Sequence, residues 1–271
     1  MEIKNYYIKG AKVKPPVSSP NHSKEFKAGD LDSVVLHYTA GPSMQSAINT
    51  LISPRSRASA HLVVDRDGSI VQLVPFNLIA WHAGRSSHHG KDGLNSYSIG
   101  IEIVNAGPLT KSGDVYRAWF GGTYNPSDVL QAIHRNQTVA QYWHTYTQEQ
   151  IETVTDICQL LIETYDLKYM LGHEEITTRK SDPGPAFPLD RLRDQLLSEG
   201  RDTEGNDNTK AEKRVAVASL NVRSAPSVNA GKVALPLTSG QRVFVKETKP
   251  GWAKIETTIE GWVAAQYLTD V

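Results

Sequence analysis

A chain of 271 residues with 39% hydrophobic side chains is long enough for one sizeable core and a second, smaller one. Its 29 basic residues balance its 29 acidic ones, so no overall field draws it to nucleic acid or to an anionic membrane. A single cysteine, Cys158, excludes an internal disulfide, and no apolar run is long enough to span a bilayer.

The N-terminus, MEIKNYYIKGAKVK, has lysines but lacks the continuous apolar stretch of a secretory signal. The expectation is therefore a signal removed before this numbering begins, or exit from the cell by lysis. Residues 1–30 carry Pro15, Pro16 and Pro20 among few apolar side chains and read as an extended lead-in that wraps a domain. Residues 33–37 are a short β-branched run with His37 at its end, which predicts the first strong strand. Ser43 is placed to cap a helix through Met44, Ala47, Ile48 and Leu51, stopped at Pro54. Residues 60–64 and 69–74, separated by Asp-Arg-Asp-Gly, predict a hairpin. Residues 99–104 predict another strand, with Ile99, Ile101 and Ile103 on one face and Gly100, Glu102 and Val104 on the other. Glu102 therefore points away from the isoleucines, toward a cleft.

Thr147 with Gln150 forms a capping-box pattern before a helix whose Ile151, Val154, Ile157, Cys158, Leu161 and Ile162 recur at helical spacing. That helix ends near Tyr165, and Cys158 on its apolar face reads as a small buried hydrophobe. Strands alternating with helices predict an α/β domain over residues 1–197. Residues 198–213 are charged in both signs and read as a solvated linker. From residue 214 to 271 the pattern changes to short strands with frequent turn signals, which predicts a small all-β barrel.

The densest chemistry lies in GHEEITTRKSDPGP, residues 172–185, a turn-rich segment that no single regular element can hold. His173 and Asp182 are good zinc ligands, and Lys180 stands where a cation can face an oxyanion. With His37 and Glu102 they make a catalytic zinc set: three protein ligands, an open position for water, and a base. Each residue has a plainer reading. His37 alone would be a packed histidine, Asp182 before Pro183 a turn starter, and Lys180 a solvated charge like its neighbour Arg179. His61 either lines the cleft or is a satisfied core histidine, with the cleft preferred. Trp81 and His82, in AWHAG, read as a cleft wall that contacts substrate. His88, His89, His134 and His144 receive no role, and YRAWFGGTY, residues 116–124, reads equally as a substrate loop or a self-packed hairpin tip.

The ordered blocks LHYTAG, SAHLVVDRDGSIVQLVP, AWHAG, IGIEIVN and LGHEEI with its K-x-D-P-G-P ending resemble zinc-dependent N-acetylmuramoyl-L-alanine amidases. That group is related in fold to peptidoglycan recognition proteins and phage lysozyme-type amidases. The resemblance spans roughly residues 31–195. It implies a central mixed sheet with helices, zinc held by His37, His173 and Asp182, and Glu102 and Lys180 as catalytic partners. LNVRSAPS, the L-x-x-G-x-x-V run and the Gly-Trp steps at Trp252 and Trp262 resemble bacterial SH3 domains, which commonly bind the cell wall. The expected whole is a monomeric peptidoglycan hydrolase acting at the wall, with peptidoglycan or muropeptides as partners and neither nucleic acid nor membrane. A cytoplasmic recycling amidase on anhydro-muropeptides and a non-catalytic recognition protein are the alternatives.

Overall fold

The computed structural model describes residues 1–197 and, beyond them, 211–215, 219–227, 230–234, 236–238, 240–249 and 251–257. The chain divides into two compact units between Arg201 and Asp202.

In the first unit, β1 (Ser33–Tyr38), β2 (Leu62–Val64), β3 (Ile70–Gln72), β4 (Ser98–Ile103) and β5 (Tyr169–Gly172) form one sheet in the order β5-β1-β4-β2-β3. Within it the β2–β3 hairpin is antiparallel and the other neighbours are parallel, so the sheet is mixed as expected. Helix α1 (Met44–Leu51) starts where Ser43 accepts a hydrogen bond from the Ser46 N–H. Helix α2 (Gln148–Tyr165) starts with the full reciprocal box: Thr147 Oγ1 accepts from the Gln150 N–H, and Gln150 Oε1 accepts from the Thr147 N–H. Two further helices follow, α3 (His173–Ile176) and α4 (Leu189–Leu197).

The period-two pattern of β4 splits the sheet faces. Ile99, Ile101 and Ile103 bury with Val34 and Leu36 against Val154, Ile157, Cys158 and Leu161 of α2 and Leu189 and Leu192 of α4. Val63, Val71 and Val104 on the opposite face bury against Met44, Ala47, Ile48 and Leu51 of α1. Each large apolar side chain so enclosed contributes roughly 1.5–3 kcal/mol relative to exposure. That stabilisation lets the same strands carry polar groups on the α1 face. In the parallel register Glu102 lies beside His37, so both project from that one face.

The structure extends two expectations and revises a third. The lead-in has structure of its own: Glu2–Lys4 pairs with Tyr7–Lys9, and His22–Glu25 pairs with Leu78–Ala80. The aromatic stretch 116–124, read as a substrate loop or a hairpin tip, does form a hairpin, Val115–Arg117 with Thr123–Tyr124, within a second, antiparallel five-stranded sheet that also holds Pro108–Ser112, Val129–Ile133 and Ala140–His144. Its strands are short and mostly exposed, so they lack the apolar alternation that reveals a strand in sequence. Finally, residues 198–210 of the expected linker lie outside the described residues, but 211–213 belong to the strand Ala211–Arg214 and are not linker.

The second unit is antiparallel. Ala211–Arg214 pairs with Arg242–Lys249, which pairs with Trp252–Glu256; Ser219–Leu220 pairs with Leu237–Thr238. Val215, Leu237 and Val243 form its small core. Trp262 lies outside the described residues.

Candidate metal centre

His37 ends the apolar run of β1, and His173 follows directly after β5, its neighbour in the sheet. Both therefore emerge at the C-terminal ends of adjacent parallel strands, where open α/β sheets present their ligand sites. Asp182 comes back to them from the turn after α3. The Nδ1 atoms of His37 and His173 stand 2.9 Å apart, and Asp182 Oδ2 is 2.8 Å from the first and 2.9 Å from the second. All three side chains are buried.

Short contacts hold the turn that carries Asp182. The Glu174 N–H donates to the Asp182 carbonyl at 2.9 Å, and Glu174 Oε2 accepts from the Gly184 N–H at 3.1 Å and from His134 Nε2 at 2.6 Å. Tyr146 donates its hydroxyl to the Pro183 carbonyl, and Tyr38 meets the Ser181 hydroxyl at 2.5 Å. Gly172 N–H, at the start of α3, is capped by Glu175 Oε2.

The donor chemistry fits a cation. His173 Nε2 lies 3.2 Å from the Ala83 carbonyl, which can only accept, so Nε2 carries the hydrogen and Nδ1 keeps a lone pair. Burial lowers the His37 pKa from 6.5 and outweighs the pull of the neighbouring Asp182, which raises it, so this ring is neutral near pH 7. Burial works against ionisation of Asp182, but the contacts with His173 and His37 outweigh it and hold the carboxyl well below its usual range. Two imidazole nitrogens and one carboxylate oxygen are a ligand set that zinc takes readily, with a fourth position for water.

Glu102 and Lys180 are the other two expected site residues. Although part of Glu102 reaches solvent, its Oε2 is enclosed with no hydrogen-bond partner. Burial first, then the negative charge of Asp182, pushes the Glu102 pKa well above its usual value, and Lys180 pulls it down. Lys180 is exposed, has no hydrogen-bond or salt-bridge partner among the described residues, and its charge is felt at both Glu102 and His37. Arg179 differs: its guanidinium is committed to the Arg85 carbonyl at 2.8 Å.

Residues 27–185, more than half of the chain, match the family described as N-acetylmuramoyl-L-alanine amidase. The chain belongs to that amidase family. Residues 218–269 match the bacterial SH3 domain. The 1,6-anhydro-N-acetylmuramyl-L-alanine amidase AmpD of Escherichia coli is 34% identical over 140 residues, which cover 51% of this chain and 57% of the relative. The N-acetylmuramoyl-L-alanine amidase AmiD of the same organism is 29% identical over 181 residues, 63% of this chain and 55% of that one. The chain thus spans just over half the length of these curated relatives. A crystal structure of an AmpD derivative superposes with a TM-score of 0.49 at 25% identity, covering 72% of this chain and 99% of that one.

Within this amidase-family unit, two of the expected substrate contacts are corrected. His61 is fully buried, its Nε2–H donates to the Leu78 carbonyl at 2.9 Å, and its Nδ1 accepts from the Gly100 N–H at 3.0 Å. With both nitrogens bonded to backbone it is a satisfied core histidine and lines no cleft. His82 is likewise closed to substrate through its nitrogens, since Nδ1 faces His37 Nε2 at 3.0 Å and Nε2 faces the Ser98 carbonyl at 3.2 Å. Trp81 is half-buried, and its indole N–H donates to Ser23 Oγ at 2.8 Å, tying the lead-in to the AWHAG turn. The same turn supplies the Ala83 carbonyl to His173, a part no side-chain motif announces.

Sequence reasoning also missed Tyr38, Tyr146, His134 and Glu174 as the clamps of the Asp182 turn. His134 and His144, read as isolated in polar surroundings, are buried: the first pairs with Glu174, and the second accepts from the Ala106 N–H. Glu174 and Ala106 lie 40 and 38 residues away in sequence from these histidines, although His134 Nδ1 also accepts from the nearby Asn136 N–H. Trp119, at the tip of the second sheet, is 78% exposed and donates its indole N–H to the carbonyl of Ala40, three residues past His37.

Proposed function

We propose that this chain is a peptidoglycan hydrolase that cleaves the amide between the lactyl group of N-acetylmuramic acid and the L-alanine of the stem peptide. The observation that carries this reading is the meeting of three buried acceptor atoms, from His37, His173 and Asp182, beside an unpartnered carboxyl oxygen of Glu102. Zinc held by the three supplies an acidified water and a polarised scissile carbonyl. Glu102, ionised beside a bound cation, takes the water proton, and its enclosed setting, which raises its pKa, then suits it to hold that proton and return it to the departing amine. Lys180 offers its free ammonium to the oxygen of the scissile carbonyl as negative charge develops there. Family membership and the names of the relatives support the bond and the substrate class.

Mass spectrometry of digested peptidoglycan tests this reading directly. Free muramyl lactyl ends and intact stem peptides beginning with L-alanine are the expected products; cleavage within the peptide or the glycan would overturn it. Lys180→Ala is expected to keep one zinc per chain and lose about 10²–10³ in kcat.

The residues from 211 to 271 are proposed as a wall-binding module, and the protein as a monomer acting at the wall. A chain ended at residue 197 is expected to cleave soluble muropeptides normally but clear intact walls more slowly, because two modules on one chain gain effective concentration at a polymeric surface. Equal clearance would assign the second unit another role. The second reading, a recycling amidase acting on soluble anhydro-muropeptides, is favoured by the AmpD names. It predicts that truncation changes nothing and that anhydro-muropeptides far outcompete wall.

A further inference from the structure

We propose that His82 is the positioning residue of the metal centre: it locks the His37 ring with its hydrogen on Nε2, which keeps the Nδ1 lone pair turned toward the cation. The inference rests on the metal reading above and deepens it.

The argument follows the hydrogens. His82 Nε2 has two neighbours, the Ser98 carbonyl at 3.2 Å and the Ser98 hydroxyl at 3.3 Å. The carbonyl can only accept. The hydroxyl gives its own hydrogen to the Leu94 carbonyl at 2.6 Å, so its oxygen too can only accept. Nε2 of His82 therefore carries a hydrogen, and in a neutral imidazole Nδ1 then carries none. That bare Nδ1 stands 3.0 Å from His37 Nε2, which must then be the donor. With the hydrogen on Nε2, a neutral His37 has its lone pair on Nδ1, the atom that faces His173 and Asp182. The opposite tautomer would set two lone pairs against each other at the His37–His82 contact and place a hydrogen where the cation belongs. His173 reaches the same state with a simpler partner, the Ala83 carbonyl.

The ring is held as such a part must be. The His82 N–H donates to Asn95 Oδ1 at 3.0 Å, and the ring stands on Gly100 so closely that a Cβ there would lie 2.3 Å from His82 Cγ. A glycine in a strand interior weakens the strand. At this position it makes room for the imidazole.

The test measures zinc affinity by competition with a chromophoric chelator, separately from turnover. His82→Leu fills similar space without an acceptor and is expected to weaken zinc binding about 10- to 100-fold. His82→Asn places Oδ1 where Nδ1 stood and is expected to stay within a few-fold of wild type. At saturating zinc, KM for a soluble muropeptide should be unchanged in both. Long-range ¹H–¹⁵N spectra of the zinc-loaded wild-type protein read the tautomers without any substitution, and hydrogens on Nε2 of His37, His82 and His173 are expected. Wild-type zinc affinity in His82→Leu, equal losses in the two folded variants, a raised KM, or a hydrogen on His82 Nδ1 would each overturn the assignment. Wild-type protein that binds no zinc would instead overturn the metal reading on which it rests.

Discussion

Two corners of one sheet bury a histidine each, with opposite results. At the β2 corner, His61 lies between Phe26 and Phe76, at ring distances of 6.2 and 6.1 Å, and both its nitrogens are bonded to backbone. Burial drops its pKa to about 4, so it is neutral at any physiological pH. At the β1–β5 corner, His37 is almost as buried, yet its Nδ1 meets two other acceptors instead of a donor. Burial therefore does not distinguish a structural histidine from a ligand. What distinguishes them is whether the hydrogen-bonding capacity is closed within the protein, because natural cores rarely leave a buried polar atom unmatched. Glu102 Oε2 fails the same test two strand positions from Gly100, which His61 satisfies.

Removing a member of the open corner should have the largest effect. Asp182→Ala leaves two imidazoles where three ligands stood, and both zinc content and turnover should fall, the latter by about 10³-fold or more, as metal spectroscopy and a muropeptide assay will read. Retained zinc with lost turnover would move Asp182 from ligand to chemistry. Next comes Glu102→Gln, which keeps the shape and removes the base. Zinc should stay at one per chain while kcat falls about 10²–10⁴-fold. A fall in zinc content instead would make Glu102 a ligand and break the division between the three acceptors and their neighbour.

At the closed corner the order of effects reverses. His61→Leu strands the Gly100 N–H and the Leu78 carbonyl in the core, each at about 1–3 kcal/mol. Denaturant unfolding should show a loss of about 2–6 kcal/mol, with zinc affinity in the folded fraction unchanged. A loss of zinc affinity as large as that of a ligand substitution would mean the two corners are one site.

Much of this was legible in the sequence, for reasons that separate the two corners. The caps at Ser43 and Thr147, the β2–β3 hairpin and the outward face of Glu102 follow from local periods and from donors within three or four residues. That His37, His173 and Asp182 meet was legible through the ordered motif blocks. The roles of His61 and His82 were not, because each is set by backbone atoms of other strands: Leu78 and Gly100 for one, Ser98 for the other. Sequence alone gives an imidazole no account of which carbonyl it will face. The second sheet was hidden for a different reason, since strands such as Lys-bearing Pro108–Ser112 expose most of both faces and carry little periodic signal.

The two carboxylates of the open corner offer the remaining comparison, seen in metal-free protein. Asp182 is held below its usual range, so its contribution to stability is present above the unfolded carboxylate pKa and is lost as pH falls through the depressed value. Glu102 is pushed up, by burial first and by Asp182 second, so the sign reverses. Below the unfolded pKa both states are protonated and Glu102 costs nothing. As pH rises above it the unfolded chain ionises first while the native state keeps its proton, and stability falls until the native carboxyl also ionises. Glu102→Gln removes that slope. Urea melts of zinc-free protein should therefore show the Gln variant more stable than wild type near pH 7 and the two converging near pH 4. Zinc should narrow the gap at pH 7, because a cation beside Glu102 favours its charged form. Parallel stability profiles in the absence of metal would mean that Glu102 is solvated in the native state, and its role as a base would then have to be sought in the loaded enzyme alone.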